Sequence, residues 1–145
     1  MPGHPQPLIG LLLRLANQRW STEMDAELEK LGVRGLTAAH ARVIPFVPPE
    51  GISVQALATK ANVRKQTMAQ SVEQLIAAGL VERRPDPNDR RAWLVVLTES
   101  GLAIRPKSRK AGGTVESAWA GQLGEDRLEA LRAALIELVG YDPEN

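Results

Sequence analysis

Apolar side chains recur at every fourth position from Leu8 onward: Leu8, Leu12, Ala16, Trp20, Met24 and Leu28, with Leu15 and Leu31 beside the stripe. That period predicts a long helix, which Gly32 would stop. A second helix is expected from about Ala38, capped by Thr37, with Ala41, Ile44 and Phe46 or Val47 on its apolar face. Pro45 lies inside this pattern and removes a backbone donor, so the helix should kink or shorten there. Ser53 opens a short third helix to about Lys60, with Val54, Leu57 and Ala58 inward. Ala61, Asn62 and Val63 read as a tight turn, where Asn tolerates the left-handed conformation. A fourth helix follows from about Lys65 to Ala78, with Met68, Val72, Leu75 and Ile76 on its apolar side and Gly79 as its stop.

The period then changes. Leu80 to Arg84 reads as a short strand, Pro85 to Arg90 as a turn, and Arg91 to Leu97 as a strongly apolar second strand. Two helices joined by a short turn and followed by a β-hairpin have the organisation of a winged helix-turn-helix. Thr98 should cap the next helical region, whose path past Pro106, Gly112 and Gly113 the pattern leaves open. A cleaner repeat resumes at Val115, Trp119 and Leu123, breaks at Gly124, and returns with Leu128, Leu131, Leu135, Leu138 and Val139. The fold class expected is mainly α with a small β-hairpin wing, in one domain over residues 1–145.

Charge sharpens this picture. The 145-residue chain has a formal net charge of only +1, yet residues 60–115 carry eleven basic and five acidic side chains, while residues 116–145 carry two basic and seven acidic. Four of the basic groups sit in the segment RRPDPNDRR, residues 83–91. A basic middle suits a polyanion, although an uneven solvated surface would have the same composition. The chain has no cysteine and only two histidines, His4 and His40. Disulfides, thiolate metal sites and cysteine nucleophiles are therefore excluded, no cofactor or metal is expected, and no nucleophile–histidine pair points to an enzyme. The apolar runs fall far short of a membrane span, and MPGHPQP lacks the positive start of a signal peptide, so the expected location is cytoplasmic.

Three stretches resemble the MarR family of dimeric winged-helix transcriptional regulators. They are Leu36-Thr37 with Arg42-Val43-Ile44, then Leu57-Ala58 through Lys65-Gln66-Thr67-Met68 to Leu75-Ile76-Ala77-Ala78-Gly79-Leu80-Val81, and then the wing. The wing is the most specific: Asp89, Arg91 and Leu97-Thr98 fit the pattern D-x-R-x-x-x-x-x-L-T, and Gly101 follows at the usual place. Two departures stand out, Arg64 where the fourth helix usually opens on a small polar cap, and Pro45 within the second helix. The resemblance implies a winged helix-turn-helix over residues 37–101, flanked by dimerisation helices over residues 8–32 and 115–140. It also implies a homodimer on palindromic double-stranded DNA, repressing nearby genes and relieved by a small, commonly aromatic, effector.

Within that frame the fourth helix would enter the major groove by its N-terminal end. Arg64, Lys65, Gln66, Thr67 and Gln70 lie there, off the apolar stripe, with side chains able to reach base edges or phosphates. An amphipathic helix also needs a polar face of this kind in water. In the wing, Arg90 and Arg91 are the expected DNA contacts, helped by the negative potential of a narrow minor groove. Arg83 and Arg84 point to opposite faces of their strand, so at most one joins them, and Arg84 is the candidate. Asp89 should shape the wing by accepting backbone donors or pairing with an arginine. Trp93 is expected to pack under the hairpin. Trp20, His40 and Arg42 are candidates to line an effector pocket, although Trp20 also lies on the core stripe. The alternative is a winged helix used for protein–protein assembly without DNA.

Overall fold

The computed structural model describes residues 3–36 and 38–144. It contains six α-helices and one antiparallel hairpin: α1 (Ile9–Lys30), α2 (Ala38–Val43), α3 (Val54–Ala61), α4 (Lys65–Ala77), β1 (Val81–Asp86), β2 (Asp89–Leu97), α5 (Glu99–Leu123) and α6 (Glu125–Val139). The chain divides into two units. One comprises the chain up to Glu27 and from Lys110 onward, and the other comprises Leu28–Arg109.

The Leu28–Arg109 unit holds a core of Val43, Ile44, Val47, Ile52, Leu57, Ala58, Met68, Val72, Leu75, Val81 and Val95. Local chemistry sets its elements. The Ser53 side chain accepts the Ala56 N–H and caps α3. Asn62 takes the left-handed conformation (φ 53°) that turns α3 into α4, and Gly79 (φ 74°) releases the chain from α4 into the wing. Thr37, the expected cap of α2, lies outside the described residues. The helix α2 stops at Val43, and Ile44–Phe46 form a single 3₁₀ turn around Pro45. Pro45 thus shortens the helix, because its ring excludes the next α-helical hydrogen bond. The inward face of α2 is formed by Ala39 and Val43, one turn apart, while Ala41, two residues from each and so on the far side of the helix, is exposed, the reverse of its expected role. Carbonyls left open at this turn are satisfied from far along the chain, where the Arg105 guanidinium donates to the carbonyls of Ile44 (2.8 Å) and Val47.

The hairpin is longer and its turn tighter than the pattern implied. Pairing runs from Val81↔Leu97 to Pro85↔Trp93, shifts register, and closes at Asp86↔Asp89, leaving only Pro87 and Asn88 outside the strands. Asp86 accepts the Asn88 N–H (2.9 Å) and Asp89 accepts the Arg91 N–H (3.0 Å), so two side-chain turns fix the tip. Ile52 joins β2 through a reciprocal backbone pair with Val95. Beyond β2, α5 is a single continuous helix through Pro106, Gly112 and Gly113. At its start, Thr98 N–H donates to the Leu80 carbonyl (3.1 Å), Thr98 Oγ1 donates to the Gly79 carbonyl (2.6 Å), and Thr98 Oγ1 accepts the Gly101 N–H (3.2 Å).

In the other unit, Trp20 and Trp119 meet edge to face, with centroids 5.6 Å apart and planes at 83°. Arg19 lies over the Trp119 ring at 5.3 Å, and Glu23 accepts from both Trp119 Nε1 and Arg19. Arg132 forks onto Glu116 (3.1 and 2.6 Å) and also holds Glu129. Much of the apolar surface of this unit stays uncovered within one chain: Leu8 is 81% exposed, Leu138 71% and Val139 70%.

Two experiments follow from these contacts. A Cβ at Gly101 would stand 2.1 Å from the Leu80 carbonyl oxygen, whereas one at Gly113 would enter open space. Gly101→Ala is expected to cost about 3 kcal/mol and lower the thermal midpoint by roughly 10 °C. Gly113→Ala, inside a helix, should instead stabilise by about 0.5–1 kcal/mol. Equal midpoints for both variants and the parent in thermal unfolding would refute the close approach.

The Trp119 N–H and Arg19 hold the Glu23 carboxyl below the usual carboxylate range, and Arg132 does the same to Glu116. Groups with depressed folded pKa values contribute stability above their unfolded pKa and lose it as pH falls through the folded value. The thermal midpoint should therefore drop on acidification below about pH 4.3, the unperturbed glutamate value. Glu116→Gln should flatten that drop while costing at most about 1 kcal/mol at neutral pH, because the pair is solvent-exposed. Unfolding curves of parent and variant across the acid range read this directly.

Candidate nucleic-acid interface

The helix α4 presents two different sides. Met68, Ser71, Val72 and Leu75 are buried, while Arg64, Lys65, Gln66 and Gln70 are exposed or partly so, as is Thr67. The five polar residues read from the sequence therefore share the open side at the start of this helix. Arg64 is the cap residue by backbone geometry but supplies no side-chain cap, which leaves its guanidinium outside the helix. Gln55 and Thr59 of α3, with Arg64 and Lys65 at the start of α4, line an open concavity of about 590 Å³ at the elbow between the two helices.

The wing arginines fall into two classes. Arg83 pairs with Glu73 of α4, and Arg84 pairs with its strand neighbour Glu82 (2.7 Å). Arg90 and Arg91, by contrast, are exposed and face no carboxylate among the described residues, and the same holds for Arg64 and Lys65. Both free arginines lie in the stretch of β2 where the register shifts, just past the two-residue turn. Asp89 holds the backbone of Arg91 rather than its side chain. Unpaired cations on an exposed face retain their full attraction for an anion, whereas paired ones must first break a contact.

Trp93 corrects the sequence reading. It is 56% exposed and does not pack under the hairpin. The apolar strand continues outward past Val95, the last residue of that strand face to be buried, so the alternation extends further than the core that could cover it. Glu73, Asp86 and Arg105 were also missed by the pattern. Their roles depend on partners brought near by folding, although a lone acid on the exposed side of a helix in a basic region was a usable signal for Glu73.

Of the effector candidates, Trp20 belongs to one unit, and His40 and Arg42 belong to the Leu28–Arg109 unit. Trp20 is engaged by Trp119 and lies near Gly112, while His40 and Arg42 are both partly buried on α2, two residues apart and so on different sides of that helix. Among the described residues no cluster of three metal-ligating side chains occurs, and no helix is long and apolar enough to cross a membrane.

A family model described as "MarR family" matches residues 34–92, from just before α2 into the wing. The multiple antibiotic resistance protein MarR of Escherichia coli K12 is 31% identical over 97 residues, which is 66% of this chain and 65% of that protein. The HTH-type transcriptional repressor NicR of Pseudomonas putida is 37% identical over 97 residues, again 66% of this chain and 60% of NicR. The matched stretch thus spans less than two thirds of either relative's length. The crystal structure of a mutant MarR from E. coli complexed with operator DNA covers more: 90% of this chain and 92% of that one, with a TM-score of 0.73 and 25% identity. With its helix-turn-helix, its hairpin wing and the D-x-R…L-T segment in place, the chain has the winged helix-turn-helix fold of the MarR structures and matches the MarR family model over residues 34–92.

Proposed function

We propose that this protein is a sequence-specific, double-stranded DNA-binding transcriptional regulator that acts as a homodimeric repressor of nearby genes in the cytoplasm. The observation that carries this reading is the set of four unpaired cations, Arg64 and Lys65 at the start of α4 and Arg90 and Arg91 in the wing, in a chain that pairs Arg83 and Arg84. The α4 group would sit in the major groove, with Gln66, Thr67 and Gln70 reading base edges, and the wing group would follow the adjacent minor groove. Asp89 aims the wing through the Arg91 backbone. Arg84 joins only by exchanging Glu82 for a phosphate. Relatives support this assignment, since NicR is named a transcriptional repressor and a mutant of E. coli MarR is crystallised on operator DNA.

A single reading head offers few contacts. The exposed apolar side chains of α1 and α6 and of the residue preceding α1, Leu8, Ile9, Leu12, Leu138 and Val139 among them, supply a surface for a second copy. A two-fold dimer would place two recognition helices about 34 Å apart, one turn of DNA. We further propose relief by a small effector, with Trp20, His40 and Arg42 as the residues to substitute first. The reading requires no catalysis.

Selection from a randomised duplex library should return an inverted repeat with half-sites one turn apart, and sedimentation at micromolar concentration should give a dimer. Arg90→Ala and Arg91→Ala should each weaken binding and reduce the slope of log K against log salt by about 1. Unchanged affinity and slope in both variants would remove the wing from the interface. Salt-independent binding, or none, by the parent protein would sink the DNA reading and favour a protein-assembly role.

A further inference from the structure

Cross-strand partners in an antiparallel pair share a face of the sheet, and successive residues alternate between faces. One face of the hairpin is therefore Val81/Leu97, Arg83/Val95 and Pro85/Trp93, in order from the base outward. Its inner members are buried in the core, as Val81 and Val95 show. Its middle member, Arg83, pairs with Glu73 of the recognition helix α4. This face of the wing thus looks toward the recognition helix. Trp93 is the next residue out on it, about 7 Å beyond Val95 at a strand rise of about 3.3 Å per residue. The indole is 56% exposed, and its N–H has no partner among the described residues. Directly opposite stands Pro85, whose fixed φ stiffens the strand.

We infer that Trp93 is a DNA-backbone contact, its ring lying against a deoxyribose and its Nε1–H donating to a phosphate oxygen between the recognition helix and the wing tip. This rests on the DNA-binding reading above. The charge around the indole favours this occupant, because Arg90 and Arg91 two to three residues away are unpaired cations. A ring with an apolar face and one polar edge matches a sugar–phosphate strand, which is apolar at the sugar and anionic at the phosphate. The contact carries no charge, so it should add affinity without releasing a counterion.

The test measures binding of a random-sequence 30-base-pair duplex, across a salt titration, by the parent protein and by Trp93→Ala, Trp93→Phe and Arg91→Ala. Trp93→Ala is expected to weaken binding roughly tenfold, the value of a hydrogen bond to a charged oxygen, with the salt slope unchanged. Trp93→Phe should fall between the two, and the DNA-induced change in tryptophan emission seen in the parent should shrink in Trp93→Phe. Arg91→Ala should lower the slope. Parent-like affinity and an unaltered emission change in the Trp93 variants would overturn the contact while leaving the DNA reading intact. Absence of salt-dependent binding by the parent would overturn both. Because Trp93 is exposed, the variants should unfold at the parent's thermal midpoint.

Discussion

Around the Leu80 carbonyl, the end of α4, both ends of the wing and the start of α5 meet within a few ångströms. Leu80 precedes β1, and Thr98 follows β2 and donates its N–H to that carbonyl. The Thr98 hydroxyl donates to the Gly79 carbonyl just past α4 and accepts the Gly101 N–H in the first turn of α5. Only glycine leaves room for the approach of α5 at Gly101, because any Cβ would overlap the Leu80 oxygen. The direction of the wing relative to α4 is set here and reinforced further out by the Arg83–Glu73 pair. The junction thereby fixes the mutual angle of α4 and the wing, as the proposed joint contact with DNA requires.

The distribution of ion pairs follows from the same geometry. Arg83 lies on the hairpin face that looks toward α4, and its charge is taken up by Glu73. Arg84, on the other face, finds Glu82 two residues back. Past Pro85 the regular pairing ends, and three residues of β2, Arg90 to Ala92, have no partner strand position before the register resumes. Among the described residues no acidic side chain pairs with the two arginines there, and the nearby aspartates are occupied with backbone donors at the turn. The tip therefore keeps its positive charge although the segment contains two aspartates. Surface ion pairs contribute little to stability, so leaving these two arginines unpaired costs the fold almost nothing.

Much of this was legible in the sequence wherever the determinant is local. The Ser53 cap, the Asn62 turn, the Gly79 stop and the order of helices and hairpin all follow from side chains acting on their own backbone within a few residues. The L-T…G segment was recognisable as a pattern, but its physical content, a hydroxyl bridging two elements and a missing Cβ, appears only when Leu80 and Gly101 are brought together. The inward face of α2 was misread at Ala41 because the face was set from Ile44 and Val47, which lie in and just past the 3₁₀ turn, whereas within the helix itself Ala39 and Val43 point inward and Ala41 opposite. Arg105 carried no signal at all, since its partners are about sixty residues away. Trp93 shows the limit most plainly: alternation assigns a side chain to a face, but how far the core extends under that face depends on elements the alternation does not contain.

The helices outside the winged region raise a different balance. Along α1, burial begins only near Trp20 and becomes complete at Leu28, while the first turns expose leucine or isoleucine at almost every apolar position. In α6 the same holds in reverse, with Leu128 buried and Leu138 and Val139 open. Each such side chain left in water forgoes roughly 1.5–3 kcal/mol of burial. Helices of this length gain most of their stability from packing an apolar face rather than from propensity. The Trp20–Trp119–Glu23 cluster and the Arg132–Glu116 fork tie α1, α5 and α6 together, which leaves the outer ends dependent on whatever covers them. If a second copy supplies that cover, then stability of the terminal helices and occupancy of both half-sites share one equilibrium, and dilution would weaken DNA binding through the helices before any contact in the groove had changed.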